Sequence, residues 1–374
     1  MKKTLILLAA VVFGLSASAQ ERIKCKGLAV VDSAFTFEPY EFTRHALDDN
    51  EIEVEMLYAA ICHSDLHEAR ADWYEAHYPF VPGHENVGRV IKVGKNVTKF
   101  KVGDYAGIGP SVNSCRECWY CLNGHDNYCQ RMVSCYNSND YYHNEITQGG
   151  TSNIITCVED FALHIPEGAD IQRIAPLMCA GVTTWVPLHQ MANIRRGNKV
   201  AVAGFGGLGH LAVKYALDLG CQVTVFDVTE DKRQDALRMG SEKYVNVTDS
   251  AQLAGLDNTF HLVVSTIPTN YDLMMYLRMV RFGGELCILG APATKDMPTI
   301  GFTDMMWNGS KKLFFSMDGS VEQIQQCLDY SVAHGIYPDV EVIPATPEAM
   351  QQAYQNVRNG KVKFRYVVDM KTLK

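Results

Sequence analysis

Four cysteines in the first half of the chain have the spacing of a metal site. They form a CxxCxxCx7C pattern made of Cys115, Cys118, Cys121 and Cys129. Four thiolates with this spacing can converge on one tetrahedral zinc ion, at about 2.3 Å each. The residues between them are polar and favour turns, so burial alone would not hold such a lobe together. The pattern predicts a structural zinc site, and two disulfides or an iron–sulfur cluster are the alternatives.

A second set of metal-ligating side chains is spread over a longer stretch. Cys62 precedes the pair His84 and Glu85 by roughly twenty residues, and Cys179 follows far downstream. Two cysteines and one histidine are the ligand count of a catalytic zinc site, because the fourth position stays open for water or substrate. Each residue alone is weak evidence, since a lone buried cysteine is usually inert packing.

A glycine-rich turn between a strand and a helix predicts a nucleotide site. Residues 199–203 form a short apolar run that predicts a strand, and residues 210–219 predict a helix. The turn between them reads GFGGLG and contains Gly204, Gly206, Gly207, Leu208 and Gly209. In this context the glycines let the backbone approach a pyrophosphate at the helix N-terminus. A turn that binds nothing is the alternative.

The elements around this turn favour a parallel sheet. A second strand, 222–226, ends at Asp227, about the expected distance from the glycines for a carboxylate that binds ribose. Later apolar runs at 261–266 and 285–289 predict further strands, with helical stretches between them. This alternation of strands and helices is typical of a doubly wound sheet.

Length and composition set wider limits. A chain of 374 residues, 47% apolar and 20% charged, is typical of a globular protein of about two domains. With 34 basic and 42 acidic side chains the net charge is −8, which argues against a nucleic-acid partner. Twelve cysteines spread along such a length do not indicate a small disulfide scaffold.

The N-terminus has the features of a secretory signal peptide. Lys2 and Lys3 precede an apolar stretch, 4–15, and Ala17 and Ala19 provide the small residues that cleavage needs. The stretch is too short to span a bilayer, which takes roughly 20 residues, so no stable membrane anchor is predicted. We predict removal of residues 1–20 and a periplasmic or secreted protein. Cytoplasmic retention is the alternative, because thiolate metal sites suit a reducing compartment.

Taken together, the motifs resemble the zinc-dependent medium-chain alcohol dehydrogenases, and within them the cinnamyl alcohol dehydrogenase-like aldehyde reductases. The resemblance covers essentially everything after residue 20 and includes CHSDLHEARADW at 62–73, YPFVPGHENVGRV at 78–90, LMCAGVTTW at 177–185 and GFGGLGHLAVKYALDLG at 204–220. It implies an α/β architecture: a GroES-like β catalytic domain, a doubly wound Rossmann cofactor domain and a homodimer formed through the Rossmann sheet. The implied boundaries are 21–174 and 316–374 for the catalytic domain, 115–129 for its zinc lobe, and 175–315 for the Rossmann domain.

The resemblance also implies residue roles. Cys62, His84 and Cys179 would hold the catalytic zinc, with Glu85 as a transient ligand and Asp65 orienting His84. The remaining roles are Ser64 at the substrate oxygen, His67 at the end of a proton relay, His63 beside the pyrophosphate, Thr183 under the nicotinamide ring, and Arg365 in contact with the cofactor. Two zinc ions per chain are therefore expected.

The implied reaction is hydride transfer between a nicotinamide cofactor and a primary alcohol or aldehyde. If the family's cleft geometry holds, Trp73, Trp119 and Trp307 would line the pocket, which favours apolar or aromatic substrates. One alternative is a non-catalytic zinc- and nucleotide-binding scaffold or redox sensor. Another is quinone or enoyl reduction, which does not need the catalytic zinc.

In one respect the sequence departs from the branch that it resembles. Members of that branch commonly have a Ser- or Thr-rich turn after the second strand and prefer NADP, whereas this chain has Asp227 there. A carboxylate at this position accepts hydrogen bonds from free ribose hydroxyls and repels a 2′-phosphate. We predict NAD, with NADP as the alternative, because Lys232 and Arg233 could neutralise a phosphate if Asp227 points away.

Overall fold

The computed structural model describes residues 21–374, and the predicted leader lies outside them. The strands are β1 Ile23–Val30, β2 Phe37–Arg44, β3 Glu51–Ile61, β4 Asn86–Val93, β5 Tyr105–Ile108, β6 Ser111–Asn113, β7 Val133–Ser134, β8 Asn139–Asp140, β9 Glu145–Ile146, β10 Ile154–Val158, β11 Ala162–His164, β12 Lys199–Ala203, β13 Gln222–Asp227, β14 Lys243–Asn246, β15 Phe260–Ser265, β16 Val280–Ile288, β17 Lys312–Phe315, β18 Val340–Pro344 and β19 Arg365–Asp369. The α-helices are α1 His63–Ala69, α2 Trp119–Leu122, α3 Ala180–Val186, α4 Gly209–Asp218, α5 Arg233–Met239, α6 Ser250–Leu253, α7 Leu273–Met279, α8 Phe302–Trp307, α9 Val321–His334 and α10 Pro347–Arg358. None of these helices is long and apolar enough to cross a bilayer.

The first large sheet joins the N-terminal part of the chain to its C-terminus. Its strand order is β11-β5-β4-β3-β19-β18, and β10 also pairs with β3. Strand β3 is buried along most of its length because it lies inside this sheet. It pairs with β19 in a register that sets Ile61 opposite Tyr366. The end of β3 and the start of β19 therefore lie side by side, which brings Cys62 close to Arg365.

The second sheet has six parallel strands in the order β14-β13-β12-β15-β16-β17. The two strands in the middle of this sheet, β12 and β15, are apolar and almost fully buried, as expected where helices cover both faces. The strand order reverses between β12 and β15, and ligands bind at such a switch point, beyond the carboxyl ends of the strands. The predicted doubly wound sheet is confirmed, and the glycine turn after β12 lies at its switch point.

Helices α3 and α9 connect the two sheets. They pack against each other, and their buried side chains share one apolar core with residues of both sheets. Near the C-terminus, the Phe364 ring packs edge-on against Phe205 and flat against His210. Because one continuous core runs across the predicted division, the boundaries near residues 174 and 316 stay a prediction.

Two stacked histidines connect the β8–β9 hairpin to the end of β2. The rings of His45 and His143 are parallel, with centroids 3.4 Å apart. His45 lies between two carboxylates, with Nδ1 at 2.9 Å from Glu145 and Nε2 at 2.9 Å from Glu51. Burial lowers the pKa of His45, but the hydrogen bonds with Glu145 and Glu51 outweigh it and raise the pKa to about 9. The histidine is therefore charged at neutral pH and stabilises the hairpin.

We expect His45→Asn to destabilise the protein by about 3 kcal/mol near neutral pH. Since the folded-state pKa of about 9 exceeds the ordinary value of 6.5, the stabilisation is fully present below pH 6.5 and is lost as pH rises through 9. On the acid side, burial raises the pKa of Glu145, but the His45 and Arg22 contacts lower it to about 2, so its contribution is lost as pH falls from 4.5 towards 2. Denaturant unfolding of both proteins over a pH series measures this difference.

His77→Asn is the matched control, because the ring of His77 makes no hydrogen bond within residues 21–374. A destabilisation by His45→Asn that stays constant from neutral to strongly alkaline pH would contradict the assignment.

Candidate active site

The second predicted ligand set converges in the structure. Cys62, His84, Glu85 and Cys179 are all buried, and one ligand atom from each lies within 4.8 Å of the others. Cys62 follows β3 and forms the N-cap of α1, the histidine and glutamate immediately precede β4, and Cys179 immediately precedes α3. The set therefore depends on three segments that only the folded chain brings together.

Asp65 fixes the orientation of two members of this set. One carboxylate oxygen accepts the backbone N–H of Cys62 at 2.7 Å, and the other lies 3.0 Å from Nδ1 of His84. A histidine held in this way through one ring nitrogen presents the other nitrogen as a ligand. The arrangement agrees with the role that the resemblance implies for Asp65.

The electrostatics of this site favour a cation. The hydrogen bond with Cys179, together with His84, lowers the pKa of Cys62 well below its ordinary value. Burial raises the pKa of Glu85 to about 7, although the charge of Arg365 opposes this rise. Glu85 Oε1 is buried and has no hydrogen-bond partner within the described chain. Two sulfurs, one imidazole and an unpaired carboxylate oxygen are a donor set that fits zinc.

Arg365 connects this site to the glycine turn. Its guanidinium forms a buried ion pair with Glu85, and the exposed fraction of its side chain is 3%. A Cβ on Gly207 would lie 2.9 Å from Arg365 Cδ and 3.0 Å from Nη1, so a side chain there would displace the arginine. The predicted cofactor-contacting arginine therefore lies between the turn and the metal-ligand set.

The two residues predicted to move protons lie on α1. Ser64 Oγ is 3.5 Å from Cys62 Sγ, so the hydroxyl borders the ligand set. Nδ1 of His67 donates to the Asp72 carboxylate at 2.9 Å, and the ring stacks on Trp73. The Nε2 atom of His67 is buried and has no partner among residues 21–374. His63 lies beside it, with ring centroids 5.0 Å apart.

The four-cysteine lobe has the geometry of a tetrahedral metal site. Sulfur–sulfur distances are 3.8 Å for Cys115–Cys121, 3.5 Å for Cys118–Cys121 and 3.5 Å for Cys115–Cys129. Thiolates bound to one tetrahedral zinc are about 3.8 Å apart. All twelve cysteines of the chain are free thiols, so neither disulfide of the alternative reading is formed. Hydrogen bonding from the Glu117 backbone lowers the pKa of Cys115 to about 6, whereas burial raises the pKa of Cys121 and Cys129.

The glycine turn is closed on one side and open on the other. Gly204 has a φ of 87°, and a Cβ on Gly209 would lie 1.9 Å from the Gly204 carbonyl oxygen, so both positions require glycine. A Cβ on Gly206 would meet no atom within 4 Å, which leaves space for a ligand above the turn. Leu208 lies immediately before α4 and is its N-cap residue.

Asp227 faces the glycine turn. Its carboxylate accepts the backbone N–H of Phe205 at 2.9 Å and of Val228 at 2.6 Å. Lys232 is buried and forms the N-cap of α5, whereas Arg233 pairs with Glu230. Asp227 is therefore directed towards the turn. Neutralisation of a 2′-phosphate by Lys232 and Arg233 was expected only if Asp227 pointed away.

The tryptophans differ in their positions. Trp73 stacks on His67 and donates its indole N–H to the Pro292 carbonyl at 2.9 Å, which places it beside the proposed relay. Trp119 is 65% exposed on the zinc lobe, and Trp307 is 84% exposed on α8. Among these three tryptophans, and within the described residues of one chain, only Trp73 contacts a residue of the proposed catalytic site.

Sequence reasoning missed two carboxylates of this region. Asp72 fixes His67, and its position five residues later, within the stretch CHSDLHEARADW that carries the family resemblance, could have drawn attention to it. Asp318 lies 3.8 Å from Cys179 Sγ and 3.4 Å from Thr183 Oγ1. No local pattern identifies Asp318, because it reaches the site from a distant loop.

Comparisons with known proteins agree with this geometry. Residues 48–167 match the alcohol dehydrogenase GroES-like domain and residues 207–333 the zinc-binding dehydrogenase family, which, with the parallel sheet, confirms the predicted fold class. NADP-dependent alcohol dehydrogenase C 1 of Mycolicibacterium smegmatis is 39% identical over 335 residues, 89% of this chain and 94% of that protein. Aldehyde reductase YahK of Escherichia coli is 36% identical over 353 residues, 94% and 99% respectively.

A solved structure agrees as well. The CAD protein of Helicobacter pylori, complexed with NADP(H), has 40% identity and a TM-score of 0.89, and the match covers 94% of this chain and 99% of that one. Relatives of this identity and coverage share a family as well as a fold. The chain therefore belongs to the zinc-dependent medium-chain alcohol dehydrogenases, within their cinnamyl alcohol dehydrogenase-like branch.

Proposed function

We propose that this NAD(P)-dependent zinc alcohol dehydrogenase interconverts primary alcohols and aldehydes, holds one catalytic and one structural zinc ion, and prefers NAD. The observation that carries the proposal is the convergence of Cys62, His84 and Cys179 beside Ser64, with Arg365 connecting them to the glycine turn. When bound, zinc at such an open site polarises a carbonyl oxygen and the nicotinamide exchanges hydride with its carbon.

The side chains of α1 supply the proton path. Ser64 and His67 are three residues apart on α1, a spacing that places them on the same helix face. A hydroxyl can donate and accept at once, so Ser64 can pass a proton between substrate and relay. Asp72 fixes Nδ1 of His67 and leaves the buried, unpartnered Nε2 to receive it. An imidazole suits this task because its ring nitrogen can take up and release a proton.

Turnover of aldehydes is the direct test of this function. The purified protein, loaded with zinc, is mixed with NADH or NADPH and a panel of aliphatic and aromatic aldehydes, and cofactor absorbance is followed. Reduction of several aldehydes is expected, with aromatic ones preferred because the Trp73 ring lies beside the relay. Bound zinc and nucleotide without any turnover would favour the scaffold instead.

The preference for NAD rests on Asp227. NADP is named for the relatives from Mycolicibacterium and Helicobacter, so it remains the alternative. We expect kcat/KM to be higher with NADH than with NADPH, and Asp227→Ser to move the ratio towards NADPH by about tenfold or more, because the variant lacks the charge that repels a 2′-phosphate. Steady-state kinetics with both cofactors measure this change, and Asp249→Ser, at the exposed N-cap of α6, is the control.

Equal or better efficiency of the unmodified protein with NADPH would contradict the NAD preference. So would an Asp227→Ser ratio that matches that of the control.

Two further parts of the proposal concern assembly and location. Strand β17 is an edge strand of the Rossmann sheet, and the exposed side chains of Phe302, Trp307 and Phe315 lie on or near it, which supports a homodimer through this sheet.

The leader at residues 1–20 supports export to the periplasm or beyond. N-terminal sequencing of fractionated cells tests the location: a start at Gln20 or Glu21 outside the inner membrane supports export, and an intact Met1 confined to the cytoplasm refutes it.

A further inference from the structure

One carboxylate that the proposed reaction does not use contacts both a member of the metal-ligand set and Thr183, the residue that the resemblance implies under the nicotinamide ring. Asp318 Oδ1 accepts a hydrogen bond from the Thr183 hydroxyl at 3.4 Å and lies 3.8 Å from Cys179 Sγ. Its second oxygen, Oδ2, makes no hydrogen bond to any residue of 21–374. Because both neighbours belong to the proposed site, this free oxygen is available to a bound ligand.

The segment that contains Asp318 is held firmly. It joins β17 to α9, and a Cβ on the next residue, Gly319, would lie 2.4 Å from Val182 Cγ2 of α3. On its other side, the Met317 carbonyl accepts a hydrogen bond from the Asn127 side chain of the zinc lobe at 3.3 Å. Contacts on both sides fix the distance between the carboxylate and α3, where Thr183 lies.

A carboxylate at this point distinguishes the two redox forms of the cofactor. The oxidised nicotinamide ring is a cation, and it becomes neutral when it accepts hydride. A negative charge a few ångströms away stabilises the cation and has little effect on the neutral ring. Within a partly buried site, one such charge changes the relative affinities by about tenfold.

We propose that Asp318 is a cofactor-positioning residue that tightens binding of the oxidised nicotinamide relative to the reduced form, and so favours alcohol oxidation. The inference rests on the proposed function and on the role that the family resemblance implies for Thr183, under the nicotinamide ring. Asp318 acts at the nicotinamide ring of the cofactor, whereas Asp227 acts at the ribose.

The test compares binding of the two cofactor forms in the absence of substrate. Calorimetry measures Kd for NAD+ and for NADH with the zinc-loaded protein, its Asp318→Asn variant and an Asp257→Asn control, whose carboxylate is exposed and lies outside the site. We expect Asp318→Asn to weaken NAD+ binding about tenfold relative to NADH and the control to change neither.

The choice of variants keeps the result interpretable. Asp318 has a φ of 45°, a left-handed conformation that asparagine and glycine adopt readily, so Asp318→Asn and Asp318→Gly both fit the backbone. Both remove the charge, and both must therefore shift the ratio of the two Kd values in the same direction.

An unchanged ratio in both variants overturns the inference, as does loss of a zinc ion with the ratio preserved, because Asp318 would then act only on the ligand set. If the unmodified protein binds neither NAD+ nor NADH, the proposed function itself fails and the inference fails with it. Nucleotide binding and aldehyde turnover with an unchanged ratio leave the proposed function intact and refute only the role of Asp318.

Discussion

Replacing Cys62 by alanine is expected to reduce aldehyde turnover by about 10³-fold or more and to lower the zinc content from two ions per chain to one. Its thiolate is one of three ligands that the proposed catalytic site needs, and polarisation of the carbonyl by the metal would lower the barrier by several kcal/mol. The Cys62 side chain is small and almost fully buried, so truncation to alanine leaves the fold in place. Metal analysis, steady-state kinetics and thermal unfolding measure the three parts of this prediction.

The control for this experiment is Cys221→Ala. Cys221 is also buried in the apolar core, but among residues 21–374 its sulfur hydrogen-bonds only to the Arg195 carbonyl, outside both proposed zinc sites. We expect the control to keep two zinc ions and full activity. If Cys62→Ala retains both ions, or keeps its activity within tenfold, the ligand assignment is wrong.

The second large effect is expected from Cys118→Ser in the zinc lobe. Removing one of four thiolates releases the structural ion, and the energy with which such a site binds metal is energy of folding. We expect one zinc ion to be lost, the lobe to become sensitive to proteolysis, and the Tm to fall by roughly 10 °C or more. Metal analysis, limited proteolysis and a thermal scan check these outcomes.

Activity of the lobe variant should fall as well. The lobe is connected to the start of α9, because the Asp126 carboxylate accepts the backbone N–H of Val321 at 3.2 Å. Loosening the lobe therefore disturbs the adjoining segment that contains Asp318. Glu117→Gln is the control, since this exposed lobe residue makes only a weak pair with Arg131 at 3.5 Å. A Cys118→Ser protein that melts with its control and keeps two ions would refute a structural zinc.

Local patterns predicted the parts of the site that a short segment forms by itself. The cysteine lobe and the glycine turn need only neighbouring residues, so spacing and turn chemistry predict them well. The position of Asp227 beneath the turn followed from the same strand–turn–helix unit. The orientation of its carboxylate could not be predicted in this way. Hydrogen bonds from two backbone N–H groups, which only the folded chain places there, determine it.

Long-range parts of the site needed more than spacing. The ligand count alone gave only weak evidence for grouping Cys179 with Cys62, because the segments that carry them are far apart in sequence and only the folded chain joins them. The same resemblance suggested Arg365 but not its pairing with Glu85, which depends on the register of β19 against β3. Asp318 had no sequence signal, because its loop has no regular pattern and reaches the site by packing against α3.

The position of β19 has a consequence for how the protein is made. Strands β12 to β17 lie between residues 199 and 315, so the Rossmann sheet is complete in one continuous stretch that leaves the ribosome before residue 369 is added. The other sheet has β19 beside β3 and cannot close until residue 369 has been synthesised. Until then the edge of β3 is open and Glu85 lacks Arg365, although every metal ligand has already left the ribosome. During synthesis the Rossmann domain therefore begins to fold after the catalytic domain but finishes first. The catalytic centre is complete only when the C-terminal strand β19 has been synthesised.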